Sequence, residues 1–219
     1  MTSPSNKEHW EKVYETKSPA EVSWTQDVPT TSLQFIHSFH LPKAAKIIDI
    51  GGGDSKLADY LLDEGFENIT VLDISPKALE KAKHRLGSRA SKITWIVSDI
   101  TEFTPGTMYD VWHDRAAFHF LTNEEQVAKY VNIVAQSVTG YLIIATFSNN
   151  GPQKCSGLHI QQYTEETLTA ELQNGFLKLQ CATEDHTTPF GTTQNFLFCS
   201  FKRKYQEGIN EAPSLPASW

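Results

Sequence analysis

The sequence predicts an α/β fold: a mostly parallel sheet of seven strands flanked by helices, ending in an antiparallel strand. Three observations carry this. Short apolar runs alternate with helical patterns over residues 44–204, the order that builds a parallel sheet. Residues 141–147 are almost wholly apolar, which suits a strand buried on both faces. The last two strands, residues 176–182 and 195–201, are joined by a loop at 185–194 with no helix between them, so the sheet stops being parallel at its end.

The elements follow in order. A strand over 46–50 runs into Gly51-Gly52-Gly53; a helix over 56–64 and a strand over 68–74 come next. Ser75 and Pro76 start another helix, serine as N-cap and proline at the first helical position, with Leu79, Ala82 and Leu86 on one face. The third strand, 92–97, is closed by Ser98-Asp99, and the fourth, 109–113, follows a Pro105-Gly106 turn. Thr122 with Glu125 forms a capping box for a helix ending near Ser137. After the 141–147 strand come a loop at 148–163, rich in Asn, Gly, Pro and Ser, and a helix over 164–173. The order is β-α-β-α-β-α-β-α-β-α-β-β.

Ahead of this domain, residues 1–43 form an arm. They carry Trp10, Tyr14 and Trp24 among charges, more aromatic surface than a disordered tail holds, and a short amphipathic helix near residues 32–39. The arm is expected to pack on the domain; the Pro- and Ser-containing segment 205–219 is expected to be a flexible tail. At 219 residues the chain fits one such domain. A net charge of −7 argues against an extended nucleic-acid surface. The polar N-terminus lacks a signal peptide's apolar run, and nothing approaches the roughly 20 apolar residues that span a bilayer, so no membrane partner is expected. Cys155, Cys181 and Cys199 are odd in number and widely spaced, with no Cys-x-x-Cys. That pattern predicts neither a disulfide framework nor a zinc site and favours a cytoplasmic location. His113, His119 and His186 show no ligand spacing, so no metal is expected.

The chemistry gathers around the first strand. A strand, a glycine turn, a helix and a second strand ending in Asp73 hold a nucleoside at the edge of a parallel sheet. Glycines let the backbone approach a ligand, and Asp73 can accept from both ribose hydroxyls. A dinucleotide site wants a third glycine where this chain has Lys56. Asp49, just before the glycines, suits a ligand with a cationic amino group better than one with phosphates. Asp99 can accept from an adenine amine. Adenosine with a cationic amino-acid end and no phosphate describes S-adenosylmethionine. The same strand-glycine-helix signal is shared by nicotinamide-dependent oxidoreductases, which Lys56, Asp49 and Asp99 disfavour.

Asp49-Ile-Gly-Gly-Gly-Asp-Ser, Asp73-Ile-Ser and Ser98-Asp99-Ile resemble the cofactor motifs of class I, Rossmann-like S-adenosylmethionine-dependent methyltransferases, over residues 44–202. The resemblance implies ribose binding by Asp73, adenine binding by Asp99, and a cofactor shell of Asp49, Gly51, Gly52, Gly53, Asp73, Ile74, Ser75, Asp99, Ile100, His113 and Phe118. Ser55 stands where many members carry another glycine. The segment Asp110-Val-Trp-His-Asp-Arg-Ala-Ala-Phe-His-Phe-Leu is similar to the Trp-Asp-Arg-Gly segment of thiopurine methyltransferases and to the Asp-Lys-Gly segment of protein-lysine methyltransferases. The whole chain most resembles a bacterial group related to the citrate synthase lysine methyltransferase.

Ligands in such sheets sit beyond the carboxyl ends of the strands. That places His113, Asp114 and Arg115 beside the transferred methyl: Asp114 or His113 to polarise the nucleophile or contact the methionine end, Arg115 to orient the acceptor. Trp10 and Trp24 are candidates to roof the cofactor, where an aromatic face attracts a sulfonium. Cys155 reads as an uncharged loop thiol rather than a nucleophile. The neutral, polar loops at 148–163 and 185–194 are expected to wall the acceptor pocket. A small-molecule acceptor is expected first, a protein lysine second; a cofactor-binding module without catalysis is the third reading.

Overall fold

A computed structural model describes residues 5–204. Its elements are α1 (Asn6–Thr16), α2 (Thr30–His37), β1 (Lys46–Ile50), α3 (Leu57–Asp63), β2 (Asn68–Asp73), α4 (Pro76–Leu86), β3 (Ile93–Val97), β4 (Tyr109–Arg115), α5 (Glu124–Ser137), β5 (Val138–Phe147), β6 (Lys154–Cys155), β7 (Leu158–His159), α6 (Glu165–Leu172), β8 (Phe176–Thr187) and β9 (Thr193–Arg203).

The main sheet has seven strands in the order β3-β2-β1-β4-β5-β9-β8. Strands β1 to β5 pair in parallel, and β9 runs antiparallel to both β5 and β8. The chain winds outward from β1 to β3, then crosses to β4 on the other side of β1. The crevice above β1 and β4 is therefore the switch point, where a sheet of this kind binds its ligand.

Alternation along each strand divides the core. Trp112 of β4, Leu142 and Ile144 of β5 and Phe201 of β9 pack with Tyr130 and Val134 of α5 on one face. Val111, Ile143 and Phe198 face the other way, against Ile36 of α2, Leu61 of α3 and Leu79 of α4. Ile48, Trp112, Leu142 and Ile143 are fully buried, so β4 and β5 fit parallel strands covered on both sides.

Several sequence expectations change. Helix α5 is capped by Asn123, whose side chain accepts from the Gln126 N–H at 2.9 Å, one residue later than the Thr122 box predicts. Between β3 and β4 the expected helix is a single 3-10 turn, Ile100–Glu102. Helix α2 starts directly after Pro29, two residues early, and Phe39 instead leaves the helix to stack on Tyr141. Half of the 185–194 loop is strand: β8 continues to Thr187 and β9 begins at Thr193, joined by a turn in which the Thr188 N–H donates to the Thr192 carbonyl at 2.8 Å. Asp185, Thr187 and Thr193 stay exposed while His186 meets the Ser23 carbonyl of the arm, so their polarity reads as loop while their pairing is sheet. Cys181 and Cys199 lie directly opposite in the β8–β9 register, Cα atoms 4.1 Å apart, and form a disulfide. The expectation of no disulfide fails because eighteen residues of chain separation conceal a cross-strand pair. The predicted tail at 205–219 lies outside the described residues.

The arm packs through α1. Glu11 accepts from the Ser75 hydroxyl and from the Lys77 N–H at the start of α4, and Glu15 pairs with Lys77 at 2.9 Å. These contacts carry Trp10, Tyr14 and Trp24 over the switch-point crevice.

Candidate active site

Two cavities meet above β1 and β4, sharing Tyr14, Trp24, Gly51 and Arg115. The first is bounded by Asp73, Ile74, Ser98, Asp99 and Ile100 below and by Trp10 and Phe120 opposite. The second runs over Asp49, Gly51, Gly52 and the start of α3 toward Pro29 and Ser32 of the arm.

The glycine turn leaves no room for side chains. Gly51 has φ +62°, and a Cβ there would meet the Ala117 Cβ at 2.8 Å. At Gly53, with φ +44°, a Cβ would lie 2.6 Å from the Tyr14 hydroxyl and 2.9 Å from Asp73 Oδ2. The third member, Gly52, lies against Asp49 Oδ2. The turn thus brings the Gly51 backbone to both cavities, with Asp73 on the floor of the first and Asp49 on that of the second.

Asp73 ends β2 with one oxygen accepting from the Ser75 N–H at 2.8 Å. Burial pushes its carboxyl up to about 7, the Ser75 and Gly53 N–H groups opposing this and the Asp49 charge adding to it. A diol presented to this carboxylate supplies the hydrogen bonds that burial removes. Asp99 uses Oδ1 for the Thr101 N–H and hydroxyl, both at 2.8 Å, which leaves Oδ2 to accept from a ligand amine. Ser75 is an N-cap and holds Glu11; it supports the site and stands outside both cavity linings.

The three residues expected beside the methyl part company. His113 is buried between Asp49, 2.7 Å from Nδ1, and the Ser32 hydroxyl, 2.9 Å from Nε2. It holds Asp49 and α2 in place and touches only the second cavity. Asp114 points to the opposite face of the sheet and is wholly buried. It accepts from the N–H groups of Ala117 and Phe118, each at 3.0 Å, and from the Tyr130 hydroxyl at 2.8 Å. With those donors satisfied it shapes the turn after β4 and cannot polarise an acceptor; burial pushes its carboxyl up to about 6. The expectation for Phe118 is also corrected: it is fully buried against Tyr130 and Tyr163 and lines neither cavity. Strand alternation explains the case of Asp114. In a strand, alternate side chains face opposite sides, so His113 and Arg115 share a face that Asp114 cannot reach. Arg115 alone of the three lines both cavities.

Sequence reasoning missed Tyr14 and Phe120. Tyr14 lies one helical turn beyond Trp10 on α1, and its ring centroid is 6.5 Å from that of Trp10 and 6.2 Å from that of Trp24. Trp10 meets Trp24 at 5.7 Å and Phe120 at 5.1 Å, both edge-on. Cys155, from the β6–β7 hairpin, completes this wall; burial pushes its thiol up to about 11, so it is an uncharged wall group. Among the described residues no three His, Cys, Asp or Glu side chains are arranged to hold a metal ion.

Residues 47–138 match the family model described as a methyltransferase domain. The matched segment runs from β1 to the first residue of β5 and so carries the glycine turn, Asp73 and Asp99. The eEF1A lysine and N-terminal methyltransferase of Mus musculus is 29% identical over 122 residues, 55% of this chain and 17% of that protein. The malonyl-[acyl-carrier protein] O-methyltransferase of Anoxybacillus flavithermus is 36% identical over 105 residues, 47% of this chain and 39% of that protein. The chain thus matches well under half the length of either relative. In fold it is similar to the N-methyltransferase NodS of Bradyrhizobium japonicum, a structure in complex with S-adenosylhomocysteine. That likeness has a TM-score of 0.70 at 15% identity and covers 92% of this chain and 100% of that one. An S-adenosylmethionine-dependent methyltransferase of Anabaena variabilis gives a TM-score of 0.71 at 16% identity, covering 92% and 96%.

The side chains present fit S-adenosylmethionine. Asp73 suits the ribose and Asp99 the adenine amine. Asp49, anchored by His113, stands below the second cavity where a cationic amino group belongs. Among the described residues no helix is long and apolar enough to cross a membrane.

Proposed function

We propose that this protein transfers the methyl group of S-adenosylmethionine to a small-molecule acceptor. The observation that carries this reading is the character of the chamber beyond the glycine turn. Trp10, Trp24 and Phe120 close it from the arm side; apart from Asp73 and Asp99, which serve the nucleoside, the charged group lining it is the cation Arg115. A lysine ammonium approaching the methyl meets like charge there, whereas a neutral or anionic small molecule does not.

When bound, the cofactor supplies a methyl on a positively charged sulfur, displaced in line by the acceptor's electron pair. Residues of the chain position the partners. Asp73 and Asp99 hold the nucleoside, Asp49 the amino end, and the aromatic arm excludes water. His113 and Asp114, the two groups the sequence offers as a base, are both engaged. The reaction therefore relies on alignment, and the acceptor arrives deprotonated or loses its proton to solvent.

A protein-lysine acceptor is the second reading, favoured by the likeness to the eEF1A methyltransferases and by the segment 110–121. The experiment that separates the two is transfer of methyl-labelled cofactor into cell lysate. Label in extractable metabolites supports the first reading and label retained in protein the second. Binding of S-adenosylhomocysteine without transfer to any component would leave a cofactor-binding module.

A further inference from the structure

We propose that Arg115 anchors a carboxylate on the methyl acceptor, so that the acceptor is an anionic small molecule. This rests on the methyl-transfer reading above and names the substrate class for that site.

Strand β4 delivers Arg115 to the junction of the two cavities. One corner of the guanidinium is committed: Nη1 donates to the Trp24 carbonyl at 3.0 Å. Its plane is set by Phe196, whose ring centroid is 4.7 Å from Cζ. The other edge is unpartnered. Nε and Nη2 are both buried and neither has a partner. These two N–H groups are parallel donors on one side of the guanidinium, the edge that receives both oxygens of a carboxylate at once.

The chain's own acids do not fill that edge. Asp49 is taken by His113, and Glu184 accepts from Gln26 through Oε1 at 3.0 Å. Glu184 is near enough for its charge to raise the Arg115 pKa, yet its Oε2 is itself buried without a partner. Burial lowers the guanidinium to about 10, against the raising charges of Glu184 and Asp49, neither of which is hydrogen-bonded to it. A carboxylate on the unpartnered edge supplies those bonds.

The cofactor's methionine end carries a carboxylate of the same chemistry. Direction argues for the acceptor. In the sheet order β1-β4-β5-β9, the guanidinium reaches across β5 to lie over Phe196 of β9. It thus extends toward β9 and the wall formed with Cys155, while still bordering the cavity over Asp49 and the glycine turn.

The test uses the full chain as wild type, Arg115→Gln and Arg115→Lys, each confirmed folded by thermal melting. S-adenosylhomocysteine and 5′-methylthioadenosine, which lacks the amino-acid end, are titrated calorimetrically. Protein saturated with S-adenosylhomocysteine is then titrated with benzoate, phenylacetate and hexanoate and with the matching amides. The expected result is at least a tenfold preference for one or more carboxylates over the amide in wild type. That preference is lost in Arg115→Gln and partly kept in Arg115→Lys, which retains charge without the fork. Absence of any preference in wild type, or its persistence in Arg115→Gln, overturns the proposal. So does a tenfold loss of S-adenosylhomocysteine affinity in Arg115→Gln with methylthioadenosine unchanged, because the cofactor then supplies the anion. If wild type binds no S-adenosylhomocysteine at all, the methyltransferase reading fails first and the proposal with it.

Discussion

Replacing Asp73 by asparagine should make the cofactor-free protein more stable and the cofactor weaker at the same time. Asp73 is buried, with a carboxyl pushed up to about 7. Unfolded, the same group titrates near about 3.9. The folded value lies above the unfolded one, so the folded state holds the proton more tightly. Stability from this group is greatest below about pH 4, declines as pH rises to about 7, and is flat above. The gap corresponds to a cost on the order of 4 kcal/mol at pH 8. Asparagine removes the charge and can still accept from the Ser75 N–H, so much of that cost is recovered. Cofactor binding moves the other way. A carboxylate accepts charge-assisted bonds from two hydroxyls, each contributing about 1.5–3 kcal/mol. An amide offers one neutral acceptor oxygen, already shared with Ser75. A loss of about 2–4 kcal/mol is expected, or about 30- to 1,000-fold in Kd. Thermal melting of the free protein between pH 5 and 8, with calorimetric titration of S-adenosylhomocysteine at pH 8, reads both quantities. An affinity within twofold of wild type, or a variant less stable than wild type at pH 8, would refute the reasoning.

Further outcomes follow from the same geometry. In wild type, S-adenosylhomocysteine affinity should hold steady above pH 7 and weaken below it, as protonated Asp73 loses its charge; Asp73→Asn should flatten that dependence. Gly53→Ala should weaken the cofactor by at least about tenfold, since the new methyl strikes Tyr14 and Asp73; unchanged binding would place the ligand elsewhere. Trp10→Ala should cost about 0.5–1.5 kcal/mol in cofactor affinity through its aromatic contacts. Quenching of tryptophan fluorescence on binding should persist unaltered in that variant if Trp10 is no part of the roof. Asp114→Ala orphans three donors and should lower stability by about 3 kcal/mol, or roughly 6–12 °C in Tm. Tyr130→Phe should lower Tm less and leave cofactor affinity within threefold. Loss of turnover in Tyr130→Phe without a change in Tm would return Asp114 to a chemical role.

Much of the fold could be read locally. Strand β1 falls at the predicted residues 46–50 and β2 within 68–74, because each is a short apolar run bounded by turn residues, and that pattern is complete within the strand itself. The Ser75-Pro76 helix start is a matter of four consecutive residues and is found as expected. The β8–β9 hairpin was harder. Glu184, His186 and Gln194 look like a solvated loop until the arm is placed on them: the Ser23 carbonyl lies 2.7 Å from His186 Nε2, and Gln26 donates to Glu184. The partners sit some 160 residues apart in sequence, a distance over which no local pattern carries information.

The sequence by itself determined the floor of the site. Asp49, the three glycines, Asp73 and Asp99 sit at strand ends, and a strand followed by a tight turn places its last residues at the sheet's carboxyl edge whatever surrounds it. Only the tertiary structure decided the rest. Strand alternation sent Asp114 into the core and left Arg115 facing the crevice, α1 anchored on Ser75 and Lys77 brought Trp10 and Tyr14 across the chain, and Arg115 holds the Trp24 carbonyl beside them. The physical reason is the range of the forces involved. Turn geometry and strand ends depend on neighbours in sequence, whereas burial, pairing and an unpartnered guanidinium edge depend on groups that meet only when distant segments pack.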